Sequence, residues 1–132
     1  MSTTEVVRFV PSLPWLLAPR MAPQAASGSV FPFSEPRLHL TFSGTAAIAQ
    51  ATRVMGLGPG SRVLCPAYHC GHEIEPFFRA GCEVDLYRVR SDLQIDLEDI
   101  AARLVPGIKA LLVTHYFGFL QRHLAELKEL CR

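Results

Sequence analysis

SGTAAIAQATRVMGLGPGSRVLCPAYHC, residues 43–70, carries a helix start, a glycine-rich stop and a strand in succession. Ala47, Ile48, Ala51, Val54 and Met55 recur at helical spacing, which predicts a helix over 44–55. Its side chains are mostly small and let it lie close on a sheet. Gly56, Gly58, Pro59 and Gly60 end it, and Arg62–Cys65 reads as a short strand stopped by Pro66. At the front, a turn through Ser43 and Gly44 into Thr45 presents free backbone N–H groups, a hydroxyl and the positive end of a helix dipole at one point. Such a corner suits a phosphate, although Ser43 or Thr45 acting as a plain helix cap accounts for the same residues. Neither G-x-G-x-x-G nor G-x-x-x-x-G-K-[ST] occurs here, so dinucleotide and Walker-type phosphate loops find no support.

Outward from this stretch the same texture continues. Leu38–Phe42 reads as a first strand. Ile74, Phe77 and Phe78 fall at i, i+3 and i+4 around Pro76, a helix opened by proline and closed by Gly81. Glu83–Val89 alternates as a strand does, with one face less buried than the other. Asp96 can cap a helix, Asp99 stands in a box-like position, and Leu97, Ile100, Ala101 and Leu104 form the stripe. The run 109–117, KALLVTHYF, is apolar almost throughout; its strand, 109–114, is expected at the sheet centre, covered on both faces. Leu120, Leu124, Leu127 and Cys131 stripe a last helix that reaches Arg132 with no glycine or proline stop, so the chain is expected to continue. Strands alternating with helices predict an α/β fold: three layers, a parallel or mostly parallel sheet with helices on both faces. Residues 1–37 differ, since Pro11, Pro14, Pro19, Pro23, Pro32 and Pro36 block long helices and central strands. They read as a proline-rich arm, whose Phe31-Pro32-Phe33 could cover an interface, before a domain over 38–132.

Composition narrows the function. Of 132 residues, 13 are Lys or Arg and 12 Asp or Glu, a net charge of +1 that offers no basic face for nucleic acid. No apolar run approaches the ~20 residues that span a bilayer, so no membrane partner is expected. The segment 6–19 has three prolines and an internal arginine, unlike a secretory leader. Cys65, Cys70, Cys82 and Cys131 are read as reduced thiols, with a cytoplasmic location. Cys65, His69, Cys70 and His72 are metal-ligand types, but their spacing matches no C-x-x-C knuckle or H-x-x-x-H pair, and Cys65 sits in a strand. No metal site is expected.

Six motifs in register carry a family resemblance: Ser43–Ala47, Gly56–Val63, Pro66–Cys70, Ala80-Gly81, Ile108–Leu111 and His115–Gly118. Over about 38–121 the chain resembles the opening of the large domain of the pyridoxal-phosphate-dependent sugar aminotransferases, the DegT/DnrJ/StrS type of the fold type I enzymes. The resemblance implies pyridoxal 5'-phosphate as cofactor, with Gly44 and Thr45 holding its phosphate. It places the aromatic that stacks on the cofactor ring at Cys70, a departure that hands the role to His69, or less readily Tyr68, because a thiol has no flat π face. His115, at the end of an apolar strand, is a candidate to face substrate, with a hydrogen-bonded structural histidine as the other reading.

By the same resemblance the substrates are a keto-sugar or related carbonyl compound and an amino acid donor, and the complete protein is a homodimer. The Schiff-base lysine of such enzymes falls beyond residue 132. Lys109 and Lys128 do not occupy its position, so no catalytic residue is expected within this chain, and the piece alone is expected to be inactive. A sugar dehydratase on the same scaffold and a non-catalytic α/β binding domain are the alternatives.

Overall fold

In the computed structural model the described residues are 39–132, so the arm 1–37, its Phe31-Pro32-Phe33 and Leu38 lie outside them. Seven strands and α-helices follow one another: α1 (Gly44–Val54), β1 (Arg62–Pro66), α2 (Glu75–Arg79), β2 (Glu83–Tyr87), α3 (Leu97–Arg103), β3 (Ile108–Leu111) and α4 (Leu124–Leu130), with a 3-10 turn over Tyr116–Gly118 between the last two. The three strands pair in parallel in the order β2-β1-β3. Val63 lies opposite Val84 on one side and Ala110 on the other.

Successive strand residues point to opposite faces, and this divides the core in two. On one face Val63 and Cys65 pack with Ile74, Phe77 and Cys82, flanked by Ile48 of α1. On the other Leu64 and Tyr87 pack with Ile95, Ile100 and Leu127. Helices α1 and α2 therefore cover one face, α3 and α4 the other, and the expected three-layer α/β architecture is present. The chain moves from β1 to β2 through α2, then returns past β1 to β3 through α3. Parallel crossovers are right-handed, so a reversal of direction moves the connecting helix to the opposite face.

Several local expectations need correction. The strand expected over 38–42 is absent from its described part, 39–42. Leu40 and Phe42 are exposed and no described strand lies beside them. The sheet centre is β1 rather than β3: Val63, Leu64 and Cys65 are fully buried because strands flank them on both sides, whereas β3 pairs on one edge only among the described residues. Strand β2 stops at Tyr87, and Val89 instead bridges antiparallel to Ile95.

In α1 the inward residues are Ile48 and Thr52, whose hydroxyl donates to the Ile48 carbonyl at 2.8 Å, while Ala47, Ala51, Val54 and Met55 face outward. Thr52 follows Ile48 by four residues, so both lie on one face, and the short turn into β1 sets which face turns inward. In the same way Phe78, Ala101, Leu120 and Cys131 are exposed although each was expected in an apolar stripe.

The caps follow the sequence. Ser43 Oγ accepts from the Ala46 N–H and Asp96 Oδ1 from the Asp99 N–H, both at 3.1 Å. Asp99 does not close the box; its carboxylate takes the Arg88 N–H at 2.7 Å and the Arg103 side chain at 2.8 Å. Gly81, at φ +82°, ends α2 where a Cβ would come within 3.1 Å of Pro59, so both backbone sign and space require glycine.

Candidate functional site

Where the direction of winding reverses, the carboxyl ends of neighbouring strands part and leave a crevice. Here that point lies between β1 and β3. The segment after β1 carries Tyr68, His69 and Cys70; the segment after β3 carries Thr114, His115, Tyr116 and Phe117. Together with Glu73 they line one cavity of about 380 Å³, within the size range of small-molecule sites. A larger apolar groove of about 430 Å³, lined in part by Leu104, Leu111, Lys109 and Lys128, lies against the edge of β3 that no described strand pairs. It has no cluster of converging polar groups, and its two lysines are away from the crevice, so the crevice is the better candidate.

Tyr116 ties the two segments together. Its hydroxyl donates to the Tyr68 carbonyl at 2.7 Å, and the two rings lie 5.4 Å apart, tilted by 58°. Burial pushes the Tyr116 hydroxyl above the ordinary tyrosine range, so it stays a neutral donor at neutral pH. Below them the Tyr87 hydroxyl donates to the Leu112 carbonyl at 3.0 Å, joining β2 to the strand end.

His69 is half-buried in the cavity wall. Its Nδ1 accepts the Gly71 N–H at 3.0 Å, which fixes the ring and leaves Nε2 as the protonated nitrogen of the neutral form. Cys70 is exposed, and Glu73 holds it: one carboxylate oxygen takes both the Cys70 N–H and its thiol hydrogen at 2.9 Å. The thiol hydrogen bond, first among the causes, holds the Glu73 carboxyl below its usual range. His115 is exposed at the cavity, with Nδ1 accepting the Gln121 N–H at 3.3 Å. Thus the structure brings His69 and His115 together.

Gly44 and Thr45 do not line this cavity. They form the first turn of α1, where Ser43 is the cap. Ser43 satisfies the Ala46 N–H, and the Gly44 and Thr45 N–H groups precede any intrahelical acceptor. Among the described residues, a Cβ added at Gly44 would meet nothing within 4 Å. Two amides, a hydroxyl and a helix dipole are a donor set that fits a phosphate.

Cys65 is fully buried, and burial pushes its thiol up to about 12; it packs as an apolar side chain. Among the described residues no cluster of His, Cys, Asp and Glu could hold a metal ion, and no helix is long and apolar enough to cross a membrane.

Four further residues of this region escaped the sequence reading. Glu73 lies three residues after Cys70, the spacing of a local side-chain pair. Tyr116 lies in an apolar run and reads as core. Gln121 is nearly fully buried, yet all its polar atoms are satisfied: Oε1 accepts from Ile95 N–H at 2.9 Å, and Nε2 donates to the Leu93 carbonyl at 2.9 Å and the Thr114 carbonyl at 3.0 Å. A lone glutamine between Leu120 and Arg122 gave no sign of this. Phe117 is the last unusual member: its φ of 54° and ψ of 23° are left-handed, a conformation that costs a non-glycine residue on the order of 1–3 kcal/mol.

The described residues thus form a parallel, doubly wound α/β sheet with a polar and aromatic crevice at its switch point. The model of the DegT/DnrJ/EryC1/StrS aminotransferase family matches residues 39–132, and the chain belongs to that family. It is 33% identical over 81 residues to dTDP-4-dehydro-2,3,6-trideoxy-D-glucose 4-aminotransferase of Saccharopolyspora spinosa, a match covering 58% of this chain and 20% of that protein. Among solved structures it is similar to S. venezuelae DesV in complex with ketimine intermediate, at TM-score 0.63 and 26% identity over 67% of this chain and 24% of that one. It is also similar to 3-amino-5-hydroxybenzoic acid synthase, at TM-score 0.59 and 30% identity over 64% and 22% of the two chains. The chain thus spans about a fifth to a quarter of the length of these relatives.

Proposed function

We propose that this chain is the N-terminal part of the pyridoxal-phosphate-binding large domain of an aminotransferase that moves an amino group from an amino acid to a keto-sugar or related carbonyl substrate. The observation that carries the reading is the crevice between β1 and β3, in a chain of an aminotransferase family, with His69 and His115 on its wall. The names of the relatives support a sugar as acceptor. In this reading the domain occupies 38–132, after the arm 1–37, and the complete protein is a cytoplasmic homodimer acting on small molecules, neither nucleic acid nor membrane being a partner.

When bound, pyridoxal phosphate supplies the electron sink on which transamination depends. The residues of this chain bind and orient. Gly44 and Thr45 hold the phosphate through their N–H groups and the Thr45 hydroxyl, and the dipole of α1 favours the anion. His69, its ring pinned by the Gly71 N–H, presents a flat face for the cofactor ring. The fixed engagement of Cys70 with Glu73 supports His69 over Cys70 in that role. His115 faces substrate, oriented by the Gln121 N–H; the lysine that would bond the cofactor belongs to sequence past Arg132.

Substituting Thr45→Val in the full-length protein tests the phosphate site. Valine is nearly isosteric, so the hydroxyl bond is lost while the helix and its dipole remain. A hydrogen bond to a charged group contributes about 1.5–3 kcal/mol, which predicts cofactor binding weaker by roughly ten- to a hundredfold in an absorbance titration. Unchanged affinity would remove Thr45 from the site.

A further inference from the structure

We propose that Phe117 is a specificity-determining residue whose ring carries the apolar face of the sugar substrate, a proposal that rests on the aminotransferase reading of the crevice. Phe117 is unfavourable in two respects at once. Phe117 adopts a left-handed backbone that suits glycine, and its side chain is 80% exposed, so burial does not offset the strain. Glycine was available to the fold at this turn, since the next residue, Gly118, is also left-handed at φ +85°. What the conformation does achieve is placement, because Phe117 lines the crevice cavity.

Its neighbours there complete the case. Tyr68 and Tyr116 form a tilted aromatic pair, held by the hydrogen bond between the Tyr116 hydroxyl and the Tyr68 carbonyl. Phe117 lines the same cavity as this pair, and His69, Thr114 and His115 supply polar groups to it. A pyranose ring is amphiphilic in a matching way, with C–H groups on a face and oxygens around the rim. An aromatic surface beside hydrogen-bonding groups binds such a ring and orients it. Phe119 is equally exposed but lines a different depression, with Leu93 and Gln121, so it does not share the role.

The test uses full-length wild-type protein, Phe117→Gly and Phe117→Tyr. Three quantities are measured: the melting midpoint, the affinity for pyridoxal phosphate by absorbance, and the affinity for a dTDP-linked 4-keto-deoxysugar by calorimetry. Phe117→Gly is expected to bind the sugar roughly three- to tenfold more weakly, the scale of one aromatic contact. Relief of backbone strain should raise its melting midpoint, by about 2 °C. Cofactor affinity should be unchanged, and Phe117→Tyr should restore sugar binding. Unchanged sugar affinity in Phe117→Gly overturns the proposal, as does a lowered melting midpoint, which would make the ring a packing element. Weaker cofactor binding with unchanged sugar affinity would assign the ring to the cofactor instead and overturn it too. If wild-type protein binds no pyridoxal phosphate, the aminotransferase reading fails, and the sugar titration still decides the role of Phe117.

Discussion

Replacing Gln121 by leucine keeps a side chain of similar size while stripping one buried and two part-buried hydrogen bonds from the segment that follows β3. The Ile95 N–H loses its acceptor, and the Leu93 and Thr114 carbonyls lose their donor. Ile95 is almost wholly buried, so its N–H would carry the full cost of an unsatisfied group, about 1–3 kcal/mol. Leu93 and Thr114 are half-buried and can recruit water, so each adds less. The sum is about 2–4 kcal/mol, a large loss for a substitution that creates no cavity. In urea, with a slope of ~1–3 kcal/mol per molar, the unfolding midpoint should fall by roughly 1–2 M. Hydrogen exchange at the Ile95 amide should accelerate along with it, because that proton loses its specific partner. Gln121→Glu separates geometry from volume: it keeps an acceptor for Ile95 but turns a carboxylate oxygen toward two carbonyls, and it should be no more stable than the leucine variant. A loss below about 0.5 kcal/mol in Gln121→Leu, with exchange at Ile95 unchanged, would refute the claim that these hydrogen bonds hold the Leu93–Ile95 stretch to the segment after β3.

Two further outcomes are expected. Asp96→Ala removes the cap of α3 and should cost about 1 kcal/mol, seen as a lowered midpoint in thermal melts. Glu73 has a carboxyl held below its ordinary value by the Cys70 thiol hydrogen bond, so its contribution to stability is present above the unfolded value and is lost as pH falls through the folded one. Glu73→Gln should therefore melt lower than wild type at pH 7, and the gap should narrow once the pH drops below about 4.5; a gap constant from pH 7 to pH 3 would contradict the assignment.

Much of the local structure was legible in the sequence because the forces behind it are local. Ser43 and Asp96 cap helices since a short oxygen-bearing side chain can reach the free N–H two or three residues on. Pro66 and Gly81 end elements through backbone constraints that travel with the residue, and alternation of apolar runs with amphipathic stretches predicts strand and helix in the right order. His69 and His115 each stand just past a strand, where a parallel sheet opens its crevices, and both line the candidate cavity.

What periodicity could not reveal was decided by contacts distant along the chain. KALLVTHYF is more apolar than RVLCP, yet β1 takes the centre because two crossovers in opposite directions leave it between β2 and β3. Residues 39–42 have the pattern of a strand and form none, for a strand is stable only against a neighbour that no described segment provides. In α1 apolar residues point both inward and outward, and packing on the sheet turned Ile48 and Thr52 inward. The crevice follows the same logic: Tyr116 reaches Tyr68 across 48 positions of sequence, and Gln121 reaches Ile95 across 26. The first forms because β1 and β3 pair side by side, and the second because the sheet brings the stretch after β2 near the segment after β3, so these two contacts carry no local signal, only the sheet that brings their partners together.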